Sequence, residues 1–266
     1  MMDPSKRRQA RAYDAHADEY AEGVAVIHDV NFGLSIRGWL PRVEGKRILD
    51  LGCGGGYVAS EVCHVAGRVV GLDISLAMVE RARAEVRAGN VVFGVGDAEM
   101  LPYGDGEFDV VLSYGTFHHL PHPERSFAEC FRVLRRGGLL LGFERNKTDI
   151  GDEFDFWHEV LSPIPIRWLK PVKEALRRRI RGPRPAGVPE HPGHPGLRSP
   201  GELSFELRKA GFEAEVRALG FPMVPFFVSK GSHRLYEALM EVSRSFGRIR
   251  ALRDQQMVVQ IEARKP

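Results

Sequence analysis

The sequence predicts an α/β protein: a doubly wound, mostly parallel seven-stranded sheet with an antiparallel edge hairpin and a helical cap insertion. Three observations carry this. Five short apolar runs, residues 47–51, 68–72, 91–95, 108–113 and 138–143, lack the alternation of a half-exposed strand, as parallel strands covered on both faces should. Helix-period segments lie between them. Two late strand-like segments, FEAEVRAL (212–219) and MVVQIEA (257–263), flank an insertion and fit a hairpin that closes one sheet edge.

In chain order, residues 7–24 set Ala10, Tyr13, Ala17, Tyr20 and Ala21 at helical spacing among charged residues, an amphipathic helix ahead of the main domain. The first strand runs into a glycine turn, Gly52 to Gly56, that opens a helix. A second helical pattern carries Met78, Val79, Ala82 and Val86; a third opens at Pro123 and carries Phe127, Cys130, Phe131 and Leu134. Residues 146–198 break the rhythm with an aromatic stretch, a basic run and a Pro/Gly-rich segment that reads as loop. Ser199-Pro200-Gly201-Glu202 then supplies an N-cap, a first-turn proline and a capping-box glutamate. Leu203, Leu207 and Ala210 form that helix's stripe and Gly211 ends it. One more helix, with Leu235, Leu239, Val242 and Phe246, lies between the late strands.

Composition narrows the function classes. Lys and Arg total 38 against 35 for Asp and Glu, a net +3 that does not argue for nucleic-acid binding. Hydrophobic residues, 43% of the 266, suffice for a core. Cys53, Cys63 and Cys130 are too few and too scattered for a disulfide framework or zinc site. The basic N-terminus meets no apolar segment, and the longest uncharged apolar stretch, Leu219 to Ser229, holds two prolines. A cytoplasmic location without stable membrane insertion is the default expectation.

The most informative segment is Ile48-Leu49-Asp50-Leu51-Gly52-Cys53-Gly54-Gly55-Gly56. Glycines let backbone approach a ligand, and the helix start offers unpaired N–H groups. By itself such a turn serves structure, a dinucleotide or another adenosyl ligand. No Gly-Lys-Ser/Thr follows, so it is not a P-loop. Counted from Gly52, the dinucleotide fingerprint meets Tyr57 at its third glycine, and it survives only from Gly54 with Ala59 in the permissive place. Asp50 before the turn repels pyrophosphate and suits a ligand bearing ammonium and sulfonium groups.

Here the sequence resembles the class I, Rossmann-like S-adenosylmethionine-dependent methyltransferases, in particular the subgroup acting on small molecules and quinone-like lipids. Asp50, Gly52, Gly54 and Gly56 match the first motif. Val69 to Ser75 resembles the second, whose acidic residue (here Asp73) holds both ribose hydroxyls. Gly96 to Pro102 resembles the third, where Asp97 and the next N–H meet adenine. Phe108 to Ser113 resembles the fourth, and Arg132 to Gly138 the helix-to-strand turn after it. The resemblance covers roughly residues 46–145 and implies that S-adenosylmethionine is held by Asp50, Gly52, Cys53, Gly54, Asp73, Ile74, Met78, Asp97, Ala98 and Ser113.

The loop after the fourth strand, Tyr114 to Pro121, faces the methyl group, since ligands of such sheets bind beyond the carboxyl ends of the strands. It lacks the Asn/Asp-Pro-Pro-Tyr/Phe motif used on nucleic-acid amines. His118 and His119 are the candidate catalytic bases for a hydroxyl acceptor; the bland reading is packing under the cofactor and backbone hydrogen bonding. Prolines at 121 and 123 deny His118, His119 and His122 one helical face, so no metal is expected. The expected organisation is a helical lid (1–45), a cofactor core (46–145), an acceptor-binding cap (146–198) and a C-terminal completion of the sheet with its inserted helix (199–266). Phe154, Phe156, Trp157 and Trp168 would line the cap or pack it; Arg177, Arg178, Arg179, Arg181 and Arg184 would meet an anionic acceptor or a membrane surface, or form a solvated helix end. The function that follows is methyl transfer to a small molecule, apolar or anionic, with oxygen favoured over carbon or nitrogen. The alternatives are an NAD-dependent oxidoreductase and a non-catalytic adenosylmethionine-binding protein.

Overall fold

In the computed structural model the described residues are 3–15, 17, 33–147, 195–219 and 258–266. Among the described residues, two helices, α1 (Pro4–Ala15) and α2 (Gly33–Val43), precede the sheet. Then follow β1 (Arg47–Leu51), α3 (Tyr57–Val62), β2 (Arg68–Asp73), α4 (Leu76–Glu85), β3 (Val91–Val95) and β4 (Phe108–Tyr114). A 3₁₀ turn at Phe117–His119 leads to α5 (Pro123–Val133) and β5 (Leu134–Arg145). The chain closes with α6 (Pro200–Lys209), β6 (Glu213–Leu219) and β7 (Val258–Arg264).

The seven strands lie in the order β3-β2-β1-β4-β5-β7-β6. β1 to β5 are parallel, and β7 runs antiparallel to both β5 and β6. Reversal of strand order between β1 and β4 leaves a crevice at their carboxyl ends, where such sheets bind ligands. Both faces are covered. Leu49, Leu51, Val111 and Leu140 pack with Phe127 and Cys130 of α5 and Leu203 and Leu207 of α6. Ile48, Val69, Val110 and Leu141 pack with α2, α3 and α4 through Trp39, Val62, Val79 and Ala82. Burial on both faces is why the central strands β1, β2 and β4 read as unbroken apolar runs.

The α6 cap forms as its sequence dictates: Ser199 Oγ accepts from Glu202 N, and the Glu202 carboxylate accepts from Ser199 N at 2.8 Å. Those bonds, the backbone one foremost, and the Lys147 ammonium hold Glu202 at a pKa of about 2. Gly211, at φ 106, ends the helix.

Three expectations change. α1 turns a different face inward: Lys6, Gln9 and Ala12 are buried, not a stripe through Ala10, because its partners are polar strand ends. α5 stops at Val133; Leu134 begins β5 opposite Phe108, and the pairing shifts register before Val110 meets Leu139, absorbing the residues read as a turn. α2 was not foreseen, since Gly38 and Pro41 interrupt its pattern. Its Ile36, Trp39 and Val43 nonetheless bury, and Trp39 stacks on Phe143 at 4.6 Å. Tyr20, the aromatic and arginine residues named in 148–194, and the helix through Leu235 lie outside the described residues. No described helix is long and apolar enough to cross a membrane.

Candidate active site

The site grows from the end of β1. Gly52, Gly54 and Gly56 have φ of 71°, 50° and 89°, a region costly for residues with a Cβ. Gly52 and Cys53 donate their N–H groups to Leu72 O, at 2.8 and 3.1 Å, which sews the turn to β2. At Gly52 a Cβ would collide with Thr116, whose hydroxyl donates to Leu51 O at 2.9 Å. Glycine is therefore required twice over there.

At the end of β2, Asp73 Oδ2 accepts from Gly54 N and Oδ1 from Ser75 N, both at 2.9 Å. Two strand ends and the start of α4 thus converge on one carboxylate. Ser75 caps α4 by accepting from Met78 N and donates its own hydroxyl to Asp14 Oδ1 of α1 at 2.6 Å. After β3, Asp97 Oδ1 accepts from Glu99 N at 2.9 Å. Its Oδ2 accepts from Lys6 Nζ at 2.7 Å, and the same ammonium lies 2.8 Å from Glu99 Oε2. α1 is thereby fastened over three strand ends, because Gln9 also donates to His119 O at 3.1 Å.

Between these elements lies a cavity of about 460 Å³, within the range of roughly 300–1,000 Å³ usual for small-ligand sites. Of the residues expected to hold a cofactor, Gly52, Cys53, Gly54, Asp73, Ile74, Met78, Asp97 and Ala98 line it. Asp50 and Ser113 do not: both are wholly buried within the sheet behind the wall. His119 lines the cavity, while His118 does not. His118 Nδ1 lies 2.8 Å from Glu144 Oε2, and Glu144 also accepts the backbone N–H groups of Thr116, Phe117 and His118 at 2.9 to 3.1 Å. One buried carboxylate on β5 therefore fixes the whole 116–119 turn. The His118 and His119 rings sit 3.9 Å apart, and Tyr13 of α1 meets His119 edge-on at 5.7 Å. Gly196 N donates to His118 O at 3.0 Å, bringing the end of the 146–198 insertion to this turn.

Charge selects the ligand class. Burial pushes the Asp50 pKa up to about 7, with the Asp73 charge adding and the Ala59 amide opposing. Apart from the Ala59 amide, neither Asp50 oxygen has a hydrogen-bond partner among the described residues. Burial likewise raises Asp73, against three backbone hydrogen bonds. Burial and then the charges of Asp50 and Asp73 push the Cys53 thiol well up, so it is not a nucleophile here. Two carboxylates made costly to ionise would both be eased by a cation. A sulfonium with an ammonium group, and a ribose diol for Asp73, fit this wall; a pyrophosphate does not.

Lys6, Gln9, Asp14, Glu99, Thr116 and Glu144 escape the sequence reading as site residues. Lys6 sits in the run Ser-Lys-Arg-Arg, which looks solvated. Glu144 leaves one signal, a carboxylate directly after the apolar run 138–143.

Residues 49–142 match a family model described as a methyltransferase domain. A probable S-adenosylmethionine-dependent methyltransferase of Mycolicibacterium smegmatis is 41% identical over 100 residues, 38% of each chain. The 27-O-demethylrifamycin SV methyltransferase of Amycolatopsis mediterranei is 33% identical over 160 residues, 53% of this chain and 59% of that protein. The chain thus spans less than two thirds of the length of these relatives. Among solved structures, phosphoethanolamine N-methyltransferase 2 of Haemonchus contortus with S-adenosyl-L-methionine bound shares the fold at a TM-score of 0.59 and 21% identity, over 96% of this chain and 60% of that one. Strand order, glycine turn, buried carboxylates and matched residues agree. The core of this chain is a class I, S-adenosylmethionine-dependent methyltransferase domain.

Proposed function

We propose that this chain moves the methyl group of S-adenosylmethionine onto a hydroxyl oxygen of a small apolar molecule, with His119 as general base. The observation that carries it is the 116–119 turn, which sets the His119 ring in the cavity wall beside Tyr13, Leu120 and Thr116. Asp73, the Ala98 N–H and Asp97 are assigned the ribose and adenine, and Gly52 and Gly54 the methionine end. Asp50, buried behind the turn, contributes negative charge to that end rather than direct contact.

The cofactor supplies a methyl already activated by its sulfonium. The protein's share is alignment, exclusion of water and removal of one proton. The acceptor hydroxyl loses its proton to the His119 imidazole as the oxygen takes the methyl. Glu144 holds His118 and the backbone amides of Thr116 to His118, which steadies the turn that carries His119. The name of the Amycolatopsis relative supports oxygen as the receiving atom. Free cysteines at 53, 63 and 130 support a cytoplasmic setting. Nucleic acid is not assigned as acceptor, because the loop from Tyr114 to Pro121 lacks the Asn/Asp-Pro-Pro-Tyr/Phe motif.

The test is turnover against a library of hydroxylated small molecules, read as S-adenosylhomocysteine release. With an acceptor found, His119→Ala should lower kcat by ~10²–10⁴ and leave cofactor Kd within a few-fold. Turnover within a few-fold of the parent would remove His119 as base. Methylation confined to amines would remove the oxygen assignment.

A further inference from the structure

Lys6 is the one lysine of α1, and its side chain is only 8% exposed. Burial works against its charge, yet the hydrogen bonds to Asp97 and Glu99 outweigh it and raise its pKa above the ordinary lysine value. Burying a lysine tail and ammonium only to fasten a helix is costly where an apolar contact would serve. The geometry around it is that of a device for orienting one carboxylate. His122 N donates to Glu99 Oε1 at 2.9 Å, which fixes Glu99. Glu99 Oε2 fixes the ammonium at 2.8 Å, and the ammonium takes Asp97 Oδ2 at 2.7 Å. Glu99 N takes the other oxygen of Asp97. The carboxylate plane is set from both sides, and Asp97 still forms part of the cavity wall.

We propose that Lys6 is a positioning residue for adenine selection: it aims the Asp97 carboxylate so that its remaining lone pairs meet an amino group on the purine, and α1 thereby takes part in choosing the cofactor base. This rests on the assignment of Asp97 to the adenine end. An ionised carboxylate only accepts hydrogen bonds, so a fixed one favours a purine that donates at its 6-position. Without the ammonium, Asp97 and Glu99 are adjacent like charges, and Asp97 turns away from the direction that suits the base.

The experiment compares S-adenosylhomocysteine with its 6-deamino analogue, in which hydrogen replaces the amino group, by calorimetric titration of the full chain. The parent protein should prefer the amino form by about tenfold or more. In Lys6→Met that preference should narrow to within about threefold, mainly through weaker binding of the amino form. Lys6→Arg, which keeps the charge, should retain most of it. Lys6→Gln carries the same expectation as Lys6→Met if the latter does not fold, as judged by its melting transition. If both ligands weaken in Lys6→Met by the same factor, Lys6 merely docks α1 and the proposal is overturned. Asp97→Ala separates this from failure of the underlying assignment. It should abolish the preference, and an unchanged preference there would show that Asp97 does not meet the base at all.

Discussion

Beneath the cavity, Gly52, Gly54 and Asp73 are fixed by backbone hydrogen bonds that run from strand to strand, whereas α1 crosses above it on side-chain contacts from Lys6, Gln9 and Asp14. The floor inherits the rigidity of a sheet buried on both faces. The roof is a twelve-residue helix whose buried side includes just one apolar side chain, Ala12. Contacts of that kind exchange readily for contacts with a ligand, because little apolar surface is lost when they open. From this difference we propose that the floor recognises the cofactor in any state of the protein and that the roof answers to what is bound.

The largest effect should come from removing the roof. Deletion of residues 1–15 is expected to cut turnover by ~10² or more, because the reacting groups lose alignment and water gains entry. The melting temperature should fall by no more than a few degrees, since little apolar area leaves the core. A truncated protein that turns over normally would show that the floor alone is the active site.

A smaller effect sharpens the account of the floor. Asp50 has a folded pKa of about 7 against an unfolded value of 3.8. Its protonated form therefore favours the folded state, an advantage fully present below the unfolded value and lost as pH rises through about 7. The melting temperature of Asp50→Asn should accordingly gain on that of the parent between pH 5 and pH 8. Binding of the cationic cofactor favours the ionised carboxylate, so parental affinity for S-adenosylmethionine should rise a few-fold across the same interval and that of Asp50→Asn should not. Parallel pH profiles for the two proteins would mean that the Asp50 charge is not felt at the ligand.

The same contrast decides what was legible in the sequence. β1 and β2 lie where the apolar runs placed them, apart from Asp73 joining the end of β2, because two-sided burial leaves a continuous signal; β3 also matches its run, although as an edge strand it leaves Val92 and Val95 exposed. The α6 cap was legible down to its hydrogen bonds, since Ser199, Pro200 and Glu202 act locally. The family resemblance pointed to Asp73 and Asp97, and both line the cavity. Lys6 and Glu144 were not legible. Their partners lie far along the chain, at Asp97 and at Thr116 to His118, and a charged side chain gives no sign of being buried until its partner is placed. α2 was missed for a different reason: Gly38 and Pro41 carry breaker signals that the packing of Trp39 on Phe143 overrides.

The central claim is that this cavity is an adenosylmethionine site organised on Asp73, and calorimetric titration tests it most directly. S-adenosylhomocysteine should bind the full chain, and Asp73→Ala should weaken it by about tenfold or more through loss of the ribose contacts, with the fold retained. NAD, whose pyrophosphate meets the buried carboxylates, should give no measurable heat in either protein. Equal affinity of the parent and Asp73→Ala for S-adenosylhomocysteine, or tighter binding of NAD, would contradict the account.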